Sequence, residues 1–332
     1  MGLGEFERID RFFAPLSQGA GGAFGLTDDA ALLPEAADGS AWVVTVDALV
    51  AGVHFLPDDP PDLVARKALR VNLSDLAAMG AVPYGYTLAL ALPKGLPDPE
   101  SWLEGFARGL RADQDRYGIH LLGGDSVSTP GPVTLSITAF GSVARGGELR
   151  RSGASVGDDL WVSGTIGDAA LGLGVLQGTL RVSAADAEIL ADRYRLPEPR
   201  VALGPALVGL ATAGLDVSDG LVQDAGHIAE RSGVALRIEA AAVPLSPAVR
   251  RCIDSSDPLR HDALSGVLTG GDDYELLFAA PPASRDRVSE AAAAAGVQVT
   301  RIGRVEDGRG VRVMAEDGRP LQGLERGGWN HF

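Results

Sequence analysis

Aspartates recur in this chain where apolar, strand-like runs end. Asp28 and Asp29 lie in Leu26-Thr27-Asp28-Asp29-Ala30, and Asp47 closes Trp42-Val43-Val44-Thr45-Val46-Asp47. Asp125 ends Leu121-Leu122-Gly123-Gly124-Asp125, and Asp216 and Asp219 frame Leu215-Asp216-Val217-Ser218-Asp219-Gly220. Asp272 and Asp273 follow Leu268-Thr269-Gly270-Gly271. A carboxylate at a strand tip beside glycine is open to a ligand yet held by a rigid element. Several converging in one place repel one another unless cations neutralise them. Oxygen ligands of this kind suit magnesium, which at nucleotide sites combines one or two carboxylates with phosphate oxygens. The pattern therefore predicts a fold that gathers strand ends for metal-assisted phosphoryl chemistry. Taken singly, each aspartate reads better as a turn residue or helix N-cap, and it is the recurrence of the same context that points to a ligand. Asp168 and Asp224 are read as such structural cases.

Asp75 is a separate argument. Pro60-Pro61-Asp62 opens a long helix that ends at Gly80, with Pro83 beyond it. Leu69, Leu73, Leu76 and Ala77 give that helix an apolar stripe, and Asn72 and Asp75, three apart, share a face. An unpaired carboxylate in such surroundings is costly. It needs a metal or a cation, and Arg66 and Arg70 on the same helix are the plain partners.

A chain of 332 residues is long for one core, so two domains are expected. The Arg145-Gly146-Gly147 turn divides it into 1–147 and 148–332. The first part reads as a short helix over 5–13, a glycine-rich loop over 19–25, and strands near 30–33, 42–46, 86–92, 119–122 and 133–143. A helix that begins at Asp98-Pro99 and stops at Gly118 lies among them. The second part reads as a strand over 159–163, helices over 184–195 and 200–212, a helix from Leu221, and strands near 234–238 and 274–279. A helix, a strand and a hairpin follow over 284–321, with Asp317-Gly318 as the hairpin turn. Helices and strands mix without strict βαβ alternation, which favours α+β over a doubly wound sheet.

Composition removes several function classes. The net charge of -15 disfavours nucleic acid as a partner. No stretch approaches a membrane span, and the first residues lack the basic and apolar regions of a signal peptide. A single cysteine, Cys252, rules out an internal disulfide and thiolate zinc clusters, so the cytoplasm is expected. No GxxxxGK[ST] segment and no nucleophile elbow occur. Gly172-Leu173-Gly174 lacks the third glycine of a dinucleotide loop and suits helix packing better. The histidines (His54, His120, His227, His261, His331) show no metal-ligand spacing. A non-catalytic calcium-binding protein is the alternative from another class, but no EF-hand loop is present. Arg151, beside a turn, suits phosphate; Trp329 offers a packing anchor or a stacking face for a flat ligand.

In order, the chain resembles the thiamine-monophosphate kinase family over nearly its whole length. That family belongs to a superfamily with aminoimidazole ribonucleotide synthetase and selenophosphate synthetase. The segments that carry the resemblance are Gly4-Glu5-Phe6, Thr27-Asp28-Asp29-Ala30-Ala31-Leu32-Leu33 and Asp47-Ala48-Leu49-Val50-Ala51-Gly52-Val53-His54-Phe55. Val71-Asn72-Leu73-Ser74-Asp75-Leu76-Ala77-Ala78-Met79-Gly80-Ala81, Leu122-Gly123-Gly124-Asp125 and Arg151-Ser152-Gly153-Ala154 follow. Asp216-Val217-Ser218-Asp219-Gly220-Leu221 and Gly270-Gly271-Asp272-Asp273-Tyr274-Glu275-Leu276 complete the set. The resemblance implies in-line transfer of the ATP γ-phosphoryl group to thiamine monophosphate, with several magnesium ions and no phosphoenzyme. It implies metal ligation by Asp29, Thr45, Val46 (through its carbonyl), Asp47, Asp75, Asp125, Asp216 and Asp219. It implies ATP contacts from Gly124, Asp125, Arg151 and Ser218, and acceptor contacts from His54, Asp272 and Trp329. It also implies a homodimer whose N-terminal domains pair their sheets, each followed by an α+β C-terminal domain. Thr27, Val46 and Asp272 stand where the family often has glycine, threonine and glutamate. Another enzyme of the same superfamily is the alternative reading.

Overall fold

A computed structural model of the chain describes residues 14, 24–32, 39–254 and 263–324. The helix expected over 5–13, most of the glycine-rich loop over 19–25, and Trp329 lie outside the described residues.

The first unit is one sheet covered by two helices. Its strands are β1 (Ala31–Leu32), β2 (Ser40–Val50), β3 (Val82–Pro93), β4 (His120–Thr129) and β5 (Thr134–Ala144), in the order β1-β2-β5-β3-β4. Only β3 and β4 run parallel. Alternation along β2 sends Ala41, Val43 and Leu49 into the core and leaves Val46 exposed on the other face. The core face is covered by α1 (Pro61–Ala78) and α2 (Pro99–Tyr117). The helix limits fall where the sequence puts them. Pro61 stands in the first turn of α1 and Gly80 follows it with φ of 72°. Asp98 caps α2 by accepting from Ser101 N, and Gly118 ends it.

The second unit carries β6 (Asp159–Ser163), α3 (Asp168–Leu176), α4 (Ala184–Arg195), α5 (Leu203–Ala206), β7 (Ala213–Asp216), α6 (Leu221–Ser232) and β8 (Ala235–Glu239). It continues with α7 (Pro247–Asp254), α8 (Ala263–Thr269), β9 (Leu276–Ala280), α9 (Arg285–Ala294), β10 (Val299–Glu306) and β11 (Gly310–Met314). Its sheet has the order β11-β8-β10-β6-β9-β7 and mixes parallel with antiparallel pairs. Both units are therefore α+β.

Several expectations give way here. The helix expected over 200–212 is only the short α5, since the chain turns out of helical conformation at Gly209, with φ of 73°; within α5, a Cβ on Gly204 would stand 2.0 Å from the Ala77 carbonyl oxygen. The run before Asp272 is the end of α8 and not a strand, and the run before Asp28 is a turn. β9 starts at Leu276 and not at Tyr274, since Asp272 and Tyr274 have φ of 72° and 51°. Asp47 and Asp125 lie within strands that continue past them. β10 and β11 form no hairpin, because β8 lies between them; the Asp317-Gly318 turn closes only a single bridge, Met314 to Pro320. Gly172 is indeed a packing glycine, as a Cβ would meet the Leu190 carbonyl oxygen at 2.0 Å.

The helix α1 belongs to both units. Leu69, Leu73 and Leu76 pack on the first sheet, while Ala77 and Ala78 join Leu203, Leu207 and Phe278 of the second unit. Arg70, 2% exposed, donates from Nε to Asp113 at 2.7 Å and from Nη1 to the Pro197 carbonyl at 3.0 Å. Asp113→Asn leaves that guanidinium with only the more distant Glu198, 3.6 Å from Nη1, as counter-charge and should cost about 3 kcal/mol in urea unfolding. Replacing the pair together, Arg70→Met with Asp113→Leu, should recover part of that loss.

Candidate active site

Three carboxylates meet where α1, the turn before β1 and the end of β7 converge. One oxygen each of Asp29, Asp75 and Asp216 lies within 4.8 Å of the others. Asp47, on the α1-facing side of β2, is the fourth acid of the group. Two polar side chains of the helix and one of β2 hold them. Asn72 Oδ1 accepts the Asp47 N–H at 3.2 Å, and its amide is itself anchored on the Ala68 carbonyl at 3.0 Å. Ser74 donates to Asp216 Oδ2 at 2.6 Å. Thr45, one pleat before Asp47, donates to Asp75 Oδ2 at 2.5 Å. Arg66 and Arg70 do not reach Asp75; both pair with Asp113 instead.

The acids repel one another in a dry place. Burial and then Asp29 push Asp47 up to about 6. Burial and then Asp29 push Asp216 up to about 7. Asp75 is raised well above the carboxylate range by burial and then by Asp47, Asp216 and Asp29. The cation that reaches the group is Arg151, which pairs with Asp29. Asp28, next to it, is used structurally: it accepts from the Arg150 guanidinium at 3.1 Å and the Arg151 backbone N–H at 2.8 Å. Among the described residues, Asp29 Oδ2 and Arg151 Nε are buried without a hydrogen-bond partner. A cluster of hard oxygens with an unused buried lone pair fits a divalent cation.

Two loops of the second unit are laced together beside this cluster. Asp272 N donates to the Ser218 carbonyl, Tyr274 N to the Val217 carbonyl and Val217 N to the Glu275 carbonyl, each at 2.8 Å. Gly271 is required, since a Cβ would lie 2.2 Å from the Ser218 oxygen. Asp219 accepts from Gln223 at 3.0 Å, and Asp224 accepts the Asp219 and Gly220 N–H groups at the start of α6. Asp224 is thus structural, as is Asp168, which accepts from Thr165 and Ser246. Asp273 caps α3 through the Gly167 N–H at 2.7 Å, and Glu275 is tied to Arg193 and Arg200.

A second group forms around Lys67 of α1. Its ammonium lies 3.3 Å from Asp272 Oδ2 and 3.7 Å from the centre of the Tyr194 ring. The Tyr194 hydroxyl reaches the His54 carbonyl at 3.4 Å, while His54 Nδ1 accepts the Val50 N–H at 3.0 Å. His54 and Asp272 are thereby linked through two residues that the sequence reading passed over. The signal was available: Lys67 is a charge inside an apolar helix, the argument applied to Asp75.

Gly124 and Asp125 are elsewhere. They sit in β4, an exposed edge strand. Asp125 is in register with Ala89, which faces Ser136, which faces Ala48. Three strand spacings separate it from β2, roughly 14 Å. Gly124 has a packing reason of its own, as a Cβ would stand 2.0 Å from the Leu88 oxygen.

With this geometry in view, the likeness to known proteins is informative. Residues 27–143 match the family model for the AIR synthase related protein, N-terminal domain, and 155–316 that for the C-terminal domain. The chain is 46% identical over 327 residues to a thiamine-monophosphate kinase of Caulobacter vibrioides, covering 98% of this chain and 90% of that one. It superposes with a TM-score of 0.85 on AaThiL complexed with AMPPCP and TMP, at 32% identity over 100% of this chain and 99% of the other. It also matches thiamine-monophosphate kinase from Stenotrophomonas maltophilia K279a, with a TM-score of 0.77 and 45% identity over 97% and 99% of the two chains.

The crowded carboxylates have a measurable consequence. Asp216, raised to about 7, binds more protons in the folded state than in the unfolded state. Its contribution therefore becomes destabilising as pH rises from about 4 through neutrality. In chelator, Asp216→Asn should melt at a higher temperature than the parent at pH 8, and that advantage should vanish toward pH 4. An unchanged difference across the range would contradict the shared burial of these acids.

Proposed function

This chain belongs to the thiamine-monophosphate kinase family of AIR synthase related proteins, and we infer that it phosphorylates thiamine monophosphate with ATP, forming thiamine diphosphate and ADP. The observation that carries the reading within this chain is the group formed by Asp29, Asp47, Asp75 and Asp216 beside Arg151, with Asp29 Oδ2 and Arg151 Nε left unpartnered. The full-length match to relatives of this name favours the thiamine branch over an aminoimidazole ribonucleotide synthetase-like enzyme, and family membership displaces the calcium-binding alternative.

Asp29, Thr45, the Val46 carbonyl, Asp47, Asp75, Asp216 and Asp219 are the residues that hold magnesium in this proposal. Bound there, magnesium supplies the positive charge that joins the phosphate oxygens to an acidic site. The residues beneath the acids fix their positions. Asn72, Ser74 and Thr45 each hold one of them through a hydrogen bond, so little reorganisation is needed when ligand arrives. Arg151 and Ser218 contact ATP; His54, Asp272 and Trp329 contact the acceptor. The acceptor oxygen is already anionic, so alignment and charge neutralisation matter more than proton removal. Ser74 and Thr45, the hydroxyls paired with acids of this group, are both buried, which supports direct transfer.

Asp125 and Gly124 can join this site only from a second copy. In their own chain they are three strands from Asp47. The free edge of β4 and the part of β2 beyond Val44 have no described strand beside them. The same sheet exposes Val46, Val82, Tyr84, Leu122 and Val127. An edge of this kind invites pairing, and a homodimer that places β4 of one copy against β2 of the other brings Asp125 to the opposite cluster. The two units are proposed to divide near residue 147, the first carrying the dimer contact. No helix among the described residues is long and apolar enough to cross a membrane. A cytoplasmic enzyme without a nucleic-acid partner is the proposal that accords with the acidic composition.

Incubation with γ-labelled ATP, magnesium and thiamine monophosphate should yield labelled thiamine diphosphate and ADP. Release of AMP, or equal use of free thiamine, would count against the kinase reading. Asp75→Asn and Asp125→Asn should each abolish turnover. Co-expressed, they should recover about a quarter of parental activity, since half the dimers are mixed and each of those has one intact site. No recovery would mean that Asp125 serves its own chain or none.

A further inference from the structure

We propose that Lys67 is a positioning residue for the acceptor, holding one oxygen of Asp272 so that the other stays free to accept a hydrogen bond from the substrate. The inference rests on the acceptor-binding reading of Asp272 and deepens it.

The chain has only two lysines, Lys67 and Lys94, against a large complement of arginine. Lys67 is the buried one, with its side chain 3% exposed inside α1. Burying an ammonium is costly without close partners. Its other acidic neighbour, Asp59, is committed elsewhere, accepting from Arg195 at 2.6 Å and from the Leu56 N–H at 2.8 Å. The Tyr194 ring faces the ammonium from a second side, a favourable cation–π contact. Asp272 is therefore its direct ionic partner.

Asp272 needs such a partner. Its backbone sits at φ of 72°, a left-handed conformation that costs a non-glycine residue energy, in a loop tied to the Ser218 carbonyl. The carboxylate is 30% exposed, and Lys67 holds Oδ2. Among the described residues, Oδ1 has no hydrogen bond. The geometry thus presents one fixed, open acceptor atom, linked through Lys67 and Tyr194 to His54, whose carbonyl the Tyr194 hydroxyl reaches.

The choice of lysine follows. A guanidinium in this place would take both carboxylate oxygens in a fork, whereas an ammonium is a point charge that can hold one. Charge balance alone would be satisfied by either residue. Only the open Oδ1 demands lysine.

Steady-state kinetics on the full-length enzyme test this. Lys67→Met should raise KM for thiamine monophosphate about tenfold or more, the scale of one lost charge-assisted hydrogen bond, and leave KM for ATP nearly unchanged. Asp272→Asn should do the same, and the double variant should lose no more than either single one. Lys67→Arg should keep the parental melting temperature yet still raise the acceptor KM. If Asp272→Asn leaves the acceptor KM unchanged, the acceptor reading of Asp272 falls and this inference with it. If Asp272→Asn raises that KM while Lys67→Met does not, or Lys67→Arg behaves as the parent, the inference alone is overturned. Should Lys67→Met fail to fold, the Lys67→Arg and Asp272→Asn pair decides by the same criteria.

Discussion

Like charges packed into a dry pocket set the terms for the rest of this molecule. Asp29, Asp47, Asp75 and Asp216 come from a turn, a strand, a helix and a strand end, and each is drawn into the same small space. Their repulsion opposes folding wherever they are ionised. The chain offsets it with hydrogen bonds donated by Thr45 and Ser74 and with the guanidinium of Arg151, while Asn72 anchors the Asp47 backbone by accepting its N–H. It also places the acids on elements whose packing is decided elsewhere. Asp75 cannot move without α1, and α1 is fixed on both sides by apolar contacts. Stability is spent so that a ligand of opposite charge meets a prearranged site.

The same helix explains how one chain serves two substrates. Along α1, Lys67, Arg70 and Ser74 recur at helical spacing, and each reaches a different part of the second unit: the loop at Asp272, the carbonyls at 196–197, and Asp216. The group around Lys67 and the acidic cluster are thereby held in fixed relation by a single rod. In-line transfer demands that kind of alignment, because the reacting groups must be placed before any chemistry begins.

How much of this could be read in advance depended on range. The caps of α1 and α2 rest on Pro61, Gly80, Asp98 and Gly118, which act on their own neighbours, and they fall as expected. Asp75 was detectable because a carboxylate in an apolar helix needs explanation. Its partners were not, because Arg66 and Arg70 are drawn to Asp113 on α2, which no local pattern announces. The short α5 depends on Gly209 in a left-handed conformation, and the late start of β9 on two more residues of that kind. Asp125 reads as a strand end from its glycines, yet the strand continues because β3 pairs with it through Thr129. The motifs marked the chemistry, while tertiary contacts decided which residues share a pocket.

The contact between Gly204 and the Ala77 carbonyl has a kinetic meaning. Two-unit enzymes often admit substrate by swinging one unit against the other about a flexible joint. Here the joint is occupied by a helix common to both cores, approached so closely that no side-chain carbon fits between. Such a contact makes a poor hinge, because neither backbone can turn there without a clash. Any opening that admits substrate has to come from segments other than this joint, and the two cores keep their relation to α1 while it happens.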